Sequence, residues 1–596
     1  MEELKKRSEI KKEDKWDIEK IYKNSEEWEK AFETLKKEGI KIKEYEGKLN
    51  DSETLLEFLK LDEKISREAE KILVYSHLKS DENTGDNQNQ GRMNKADSYM
   101  AELSSYGAFF IPEILSIGEE NINKMLNEKE ELKLYDFMFK SILAEKDHVL
   151  SKEIEEMLAS VSDCLEGPSN IHGILTNADM TFPKVKNEKG ELVRLTEGNY
   201  ASFIRSKDVN VRREAFKALF NEYAKIKNTL GTTLTSSIKN FNFMAKTRKY
   251  SSALEASLKP NNIPVKVYEE AIETINKHLP SLHRYVRLKK KLLGLEEMHM
   301  YDLYVPVIEI EKEHIEFDKA VEIVIKALEP LGEEYLDIFK SGIKNGWIDK
   351  YENEGKRGGA YSWGTYDTMP YVLLNYNYDL NDVSTLAHEM GHSIHSYYSH
   401  KEQPYIYGGY TLFCAEVAST TNESLLINYL IRNEKDKNKR LYLINQELEQ
   451  IRTTVFRQLM FAEFEYYTHK MIEEGNPLTA EDYCKKWHEL NVNYFGEDMI
   501  VDEEIDVEWA RIPHFYSDFY VYQYATGYAA ASAFSNSILN GEKDAVAKYK
   551  KFLKSGGSDY PINILRNSGV DMTTPMPLEK TIKRFNELLD MLENEI

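Results

Sequence analysis

His388-Glu389-Met390-Gly391-His392 puts two imidazoles four residues apart with a carboxylate beside the first. On an α-helix, residues four apart lie one above the other on the same face, so both rings can reach one ion. Histidine nitrogen binds zinc at about 2.0–2.1 Å. A glutamate next to the first histidine is placed to take a proton from a zinc-bound water rather than to bind the metal. With 14 histidines in 596 residues, a random chain shows such a pattern on the order of 0.03 times. A solvated helix carrying two histidines by accident is the weaker reading.

A catalytic zinc usually takes three protein ligands and leaves one position for water. His395 continues the same face, but seven residues rise about 10.5 Å along a helix, too far to share one ion with His388. The metzincin arrangement needs a glycine and a further histidine where His395 and Tyr398 stand, so that class is excluded. His395 and His400 are expected to be packing or surface residues. Downstream, the helical segment 414–423 sets Glu416, Ser419 and Glu423 on one face among Phe, Ala, Val and Leu. A carboxylate in such surroundings needs a partner, and a zinc ion supplies one. Glu416 is therefore the expected third ligand, completing a two-histidine, one-glutamate site for one zinc per chain. Glu423 is the expected acceptor for a ligand imidazole N–H.

A second stretch, 512–528, packs five tyrosines around His514 behind Pro513. Attack on a peptide carbonyl creates an oxyanion, and phenol O–H or imidazole N–H donors stabilise it in a dry site. If the stretch is one helix, Tyr516, Tyr520 and Tyr524 share a stripe, whereas Tyr522 faces elsewhere with Phe515 and Phe519. Spacing does not choose among them. Tyr516 and Tyr520 stand as substrate-binding candidates, as does Asn375 in the β-rich run 371–376, whose edge could pair with an extended peptide.

The elements that must position these groups are mostly helical. Trp28, Phe32, Leu35 and Leu55, Phe58, Leu59 recur at helical spacing within 16–150. Ser80-Asp81-Glu82-Asn83 reads as a turn between helices. A hairpin is signalled by Asn187-Glu188-Lys189-Gly190 between two apolar runs, and a domain boundary is placed near it, dividing the chain into 1–195 and 196–596. Beyond Leu412 helices dominate, ending in an amphipathic helix from Leu578. Lys and Arg number 79 against 102 Asp and Glu, a net charge of −23, which argues against nucleic acid and against anionic membrane as partners. Three widely spaced cysteines, Cys164, Cys414 and Cys484, fit reduced thiols in a cytoplasm. No apolar run reaches the roughly 18 residues of a membrane span.

The HEMGH at 388–392, Glu416 with Ser419 and Glu423, and HFYSDFYVYQYATG at 514–527 together resemble oligoendopeptidase F, within the thimet-oligopeptidase-like zinc peptidases. RKYSSALEA at 248–256, DVNVRREAF at 208–216 and GGSDYP at 556–561 add to the resemblance, which covers most of 180–590. It implies a mainly α, two-lobed molecule with a deep channel over the zinc and a small β-sheet beside the zinc helix, the region 1–195 forming part of the channel wall. It implies an intracellular endopeptidase acting on oligopeptides, with His388, His392 and Glu416 on zinc and Glu389 as base. His514 and Tyr522 look like its oxyanion-stabilising or substrate-positioning pair. A zinc carboxypeptidase of similar fold and a non-catalytic peptide-binding protein are the alternatives. The oligomeric state is left open.

Overall fold

The computed structural model describes residues 4–311 and 313–595. Helices dominate, and the strands are two or three residues long. Among the described residues no helix is long and apolar enough to cross a membrane.

The chain forms two compact units. The first takes Met1–Lys146, Lys312–Tyr429 and Phe534–Val570; the second takes Asp147–Glu311, Leu430–Ala533 and Asp571–Ile596. The single cut near 195 expected from the sequence does not coincide with this interleaved grouping. Periodicity reports which face of a helix is buried, not which distant helix it is buried against.

In the first unit, Ser25–Gly39 is capped by Asn24, whose side chain accepts the Glu27 N–H, and it buries Trp28, Phe32 and Leu35 as the spacing predicts. Ser52–Asp81, capped by Asp51, buries Leu55, Phe58 and Leu59. This helix runs through Ser80 and Asp81, so the turn expected there starts later. Asp81 is buried, accepting from the Tyr361 hydroxyl at 2.6 Å. Tyr361–Trp363 pairs antiparallel with Tyr371–Leu373, which pairs parallel with Ile348–Asp349. Tyr371–Leu373 is thus the central strand of the sheet, with Ile348–Asp349 and Tyr361–Trp363 as its two edges.

The long helix Leu380–Glu402 follows. A reciprocal capping box between Asp379 and Asp382 satisfies its first free N–H groups. The sheet lies against it: the Ser362 and Ser393 hydroxyls are 2.8 Å apart. Leu412–Asn433 crosses it closely. A Cβ on Gly391 would lie 2.6 Å from the Ser419 Cα, so a glycine in mid-helix, locally unfavourable, is what permits the approach. Asn422, fully buried, ties the same two helices by donating to the Ala387 carbonyl at 3.0 Å while accepting from the Tyr335 hydroxyl at 2.9 Å.

The second unit contains the expected hairpin, Lys184–Lys186 against Leu192–Arg194, turning at Gly190 with φ +78°. Its helices include Lys227–Thr247, Val265–Lys277 and Arg457–Glu473. The closing helix Met576–Glu595 buries Leu578, Ile582, Phe585, Leu589 and Leu592. Pro513 does not open the long helix the spacing predicts. Pro513–Tyr516 is a 3-10 turn, and the helix begins only at Tyr522, running to Leu539.

Candidate metal centre and donor loop

Three side chains of the first unit converge. His388 and His392 on Leu380–Glu402 bring their Nε2 atoms to 3.3 Å, and the Glu416 Oε2 lies 3.4 Å from each. A tetrahedral ion with bonds of about 2.0–2.1 Å has ligand–ligand edges of roughly 3.3–3.4 Å. The three atoms therefore fit one face of such a tetrahedron, with the fourth corner left to a small ligand. Among the described residues this is the one group of His, Cys, Asp and Glu close enough to hold an ion.

The surroundings orient each member. Glu423 Oε2 is 3.4 Å from His388 Nδ1, and Ser384 donates to the other oxygen of that carboxylate at 3.3 Å. Ser419 donates to Glu416 Oε2 at 3.0 Å. Burial opposes charge on His388, but the hydrogen bond it donates to Glu423 and the neighbouring carboxylates outweigh it and raise the ring to about 9. The contact with His392 lowers Glu416 to about 2 against the pull of burial. These shifts mark a pocket of strong mutual attraction between two rings and two carboxylates, the electrostatics a cation replaces when it binds. Glu389, next to His388 in sequence, is buried, and burial pushes its carboxyl upward.

His395 does not join the group. It is buried with its ring stacked on Tyr410 at 3.8 Å, and burial lowers it to about 3, so it stays neutral. His400 packs on Tyr366 at 5.3 Å. Asn375 donates to the Arg357 and Gly359 carbonyls at 3.0 and 2.8 Å. Its Nδ2 thus shapes the loop leading into the edge strand, while its Oδ1 is buried with no hydrogen-bond partner among the described residues.

In the second unit, His514, Tyr520 and Tyr524 are half-buried and cluster. The His514 ring lies 6.0 Å from Tyr520 and 6.1 Å from Tyr524, whose rings are 5.4 Å apart. The other two expected tyrosines are elsewhere. The Tyr516 hydroxyl is 2.7 Å from the Thr233 hydroxyl, with its ring on His172 at 4.6 Å. Tyr522 is 1% exposed, its ring 5.0 Å from that of Tyr268. Tyr516 is thus half-buried with its hydroxyl engaged by Thr233, and Tyr522 is turned into the core. Tyr524 joins the cluster through its four-residue spacing from Tyr520, which survives although the helix starts two residues after Tyr520.

A half-exposed site of two histidines and a glutamate on crossed helices, with a buried glutamate beside the first histidine, defines a metallopeptidase. The model of peptidase family M3 matches residues 202–584, and that of oligopeptidase F matches 113–182. The chain is 48% identical over 588 residues to oligopeptidase PepF of Bacillus subtilis strain 168, covering 98% of this chain and 88% of that one. It is 41% identical over 591 residues to the plasmid oligoendopeptidase F of Lactococcus lactis subsp. cremoris, covering 99% and 98%. The solved oligoendopeptidase-F of Enterococcus faecium is 38% identical with a TM-score of 0.74, covering 95% of this chain and 98% of that one. A solved chain from Chlamydophila abortus is 36% identical with a TM-score of 0.94 over 100% of both. The chain belongs to peptidase family M3, in its oligoendopeptidase F branch, and is a metalloendopeptidase acting on oligopeptides.

Proposed function

We propose that the metal is zinc, held by His388, His392 and Glu416, and that Glu389 is the general base in hydrolysis of internal bonds of short peptides. The observation that carries this reading is the triangle of ligand atoms with edges of 3.3, 3.4 and 3.4 Å. Two imidazoles and one carboxylate are the donor set zinc prefers in hydrolytic sites. When bound, zinc would supply a Lewis acid that brings the ionisation of water near neutral pH and polarises the scissile carbonyl.

The residues do the rest. Glu423 fixes the His388 ring by accepting from Nδ1, so that Nε2 keeps its lone pair for the ion. Ser419 orients Glu416 by donating to Oε2, the oxygen that faces the two imidazoles. Glu389 takes the proton of the attacking water and returns it to the leaving amine, a role favoured by a carboxyl raised by burial toward the working pH. The family resemblance supports His514 as a donor to the developing oxyanion, and the clustering of Tyr520 and Tyr524 around it supports these two as its companions. Free cysteines, acidic charge and oligopeptide substrates support a cytoplasmic setting.

The test is Glu389→Gln with metal content measured alongside turnover of a quenched fluorogenic peptide. Metal retained with turnover lost is the expected outcome; normal turnover removes Glu389 from the role. Mass spectrometry of early products from a longer peptide should show internal cleavage, whereas residues released one by one from the C-terminus would point to a carboxypeptidase.

A further inference from the structure

The loop between His514 and Tyr520 is held from beneath by a side chain that the chemistry above does not use. Glu465 lies in the middle of Arg457–Glu473 and is 2% exposed. Among the described residues no basic side chain pairs with it. Its Oε1 accepts the Phe519 N–H at 2.7 Å. Its Oε2 lies 3.4 Å from the Tyr268 hydroxyl oxygen, and that hydroxyl gives its own proton to the Ala462 carbonyl at 2.8 Å. One carboxyl oxygen thus faces a donor and the other faces an acceptor, which is the pattern of a neutral acid. Burial agrees, pushing this carboxyl well above the usual range.

The N–H that Glu465 holds belongs to a residue in an unusual conformation. Phe519 has φ +59°, a left-handed backbone that a bulky residue rarely adopts. Its ring is 1% exposed, among His469 at 4.4 Å, Tyr268 at 5.6 Å and Phe241 at 6.4 Å. On the other side of the same peptide group, the Ser257 hydroxyl, at the end of the short helix Ala253–Leu258, donates to the Asp518 carbonyl at 3.1 Å. The peptide unit joining Asp518 to Phe519 is therefore gripped at both its oxygen and its nitrogen. Backbone held off its preferred conformation persists only where its surroundings over-determine it, and such sites cluster where geometry matters for function.

We propose that Glu465 is a positioning residue for peptide hydrolysis: with Ser257 it clamps the Asp518–Phe519 peptide group in a left-handed turn and so sets the direction of His514 and Tyr520. This rests on the reading that His514 and Tyr520 meet the substrate. The clamp needs an acceptor toward Phe519 and a donor toward Tyr268, not a charge. A glutamine provides both in the same volume; a leucine provides neither.

The test compares Glu465→Gln and Glu465→Leu in the metal-loaded full chain. Metal content, kcat and KM on a fluorogenic peptide, and hydrogen–deuterium exchange of the 512–521 segment are followed. The leucine variant should keep its metal and the protection of Leu380–Glu402, exchange at least about tenfold faster in 512–521, and lose about tenfold or more in kcat/KM. The glutamine variant should stay within about threefold of the parent in both readouts. Unchanged exchange in the leucine variant overturns the clamp, and a glutamine variant as damaged as the leucine one overturns the neutral hydrogen-bonding role. If the leucine variant does not fold, Ser257→Ala removes the other half of the grip, and exchange that does not rise in 512–521 then counts against the proposal. His514→Ala and Tyr520→Phe separate the layers: normal turnover in both removes the reading on which the kinetic expectation rests, while the exchange data still decide whether the clamp exists.

Discussion

On Leu380–Glu402 the pair His388 and His392 stands four residues apart, and on Arg457–Glu473 the pair Glu465 and His469 does the same. The first pair is half-buried and surrounded by carboxylates. His388 rises to about 9 and its partner Glu416 falls to about 2. The second pair is sealed. His469 falls to about 3, and burial pushes Glu465 well above the usual carboxylate range. Spacing brings ionisable groups onto one face in both helices, and the depth of that face decides what they become. Where opposite charges face one another at an open edge, a cation can replace their attraction. Where the face is closed, the groups shed charge and serve as hydrogen-bonding and packing elements.

The contrast can be broken most sharply at Glu389. Glu389→Gln should reduce kcat by about 10²–10⁴-fold while leaving the bound metal in place, as read by elemental analysis and peptide turnover. Next comes the support of the open site. Glu423→Gln leaves the ligand set intact but weakens the orientation of His388, and should cost about 10–100-fold in metal affinity in a competition titration with a chelator. Gly391→Ala tests the helix crossing itself. Its Cβ would meet the backbone of Ser419, so the helices must part, at about 1–3 kcal/mol of stability together with weaker metal binding; an unchanged melting temperature would show that the crossing has slack.

The smallest effect is expected on the closed side. Burial raises the Asp518 carboxyl to about 7. The folded chain then holds this proton more tightly than the unfolded chain, whose carboxyl titrates at about 3.9. Its contribution to stability is present below about pH 4 and lost as the pH rises to about 7. Asp518→Asn should remove that loss, so its melting temperature relative to the parent should be higher at pH 8 than at pH 5 by about 1–2 °C. A difference of the opposite sign would mean that Asp518 is ionised in the folded protein.

Most of the open site was legible because its geometry is local. His388, Glu389 and His392 lie within two turns of one helix, and Glu416 and Glu423 share a face of another. What joins the two helices was not legible as such: the Asn422 bridge to Ala387 depends on a crossing that no periodicity encodes. Gly391 was the one available sign, a glycine in mid-helix with no turn to make. The donor loop was read less well because its backbone departs from the helical period on which the reading relied. Tyr516, Tyr520 and Tyr524 share a stripe only if 513–524 is one helix, and the left-handed Phe519 breaks it. Tyr522, the choice the resemblance favoured, is turned inward by that same break.

The interleaving of the two compact units has a consequence for how the protein is made. The segments that complete the first unit end at Val570, and those that complete the second end at Ile596. At about 5–20 residues per second, both units wait roughly half a minute to two minutes before all their parts exist. For roughly ten to thirty seconds before Val570 is reached, His388, His392 and Glu416 are already synthesised, on helices that still lack the 534–570 segment of their own unit. The ion-binding corner is thus offered to the cell before the unit that carries it is complete, and metal capture during synthesis would act as a staple on an unfinished fold.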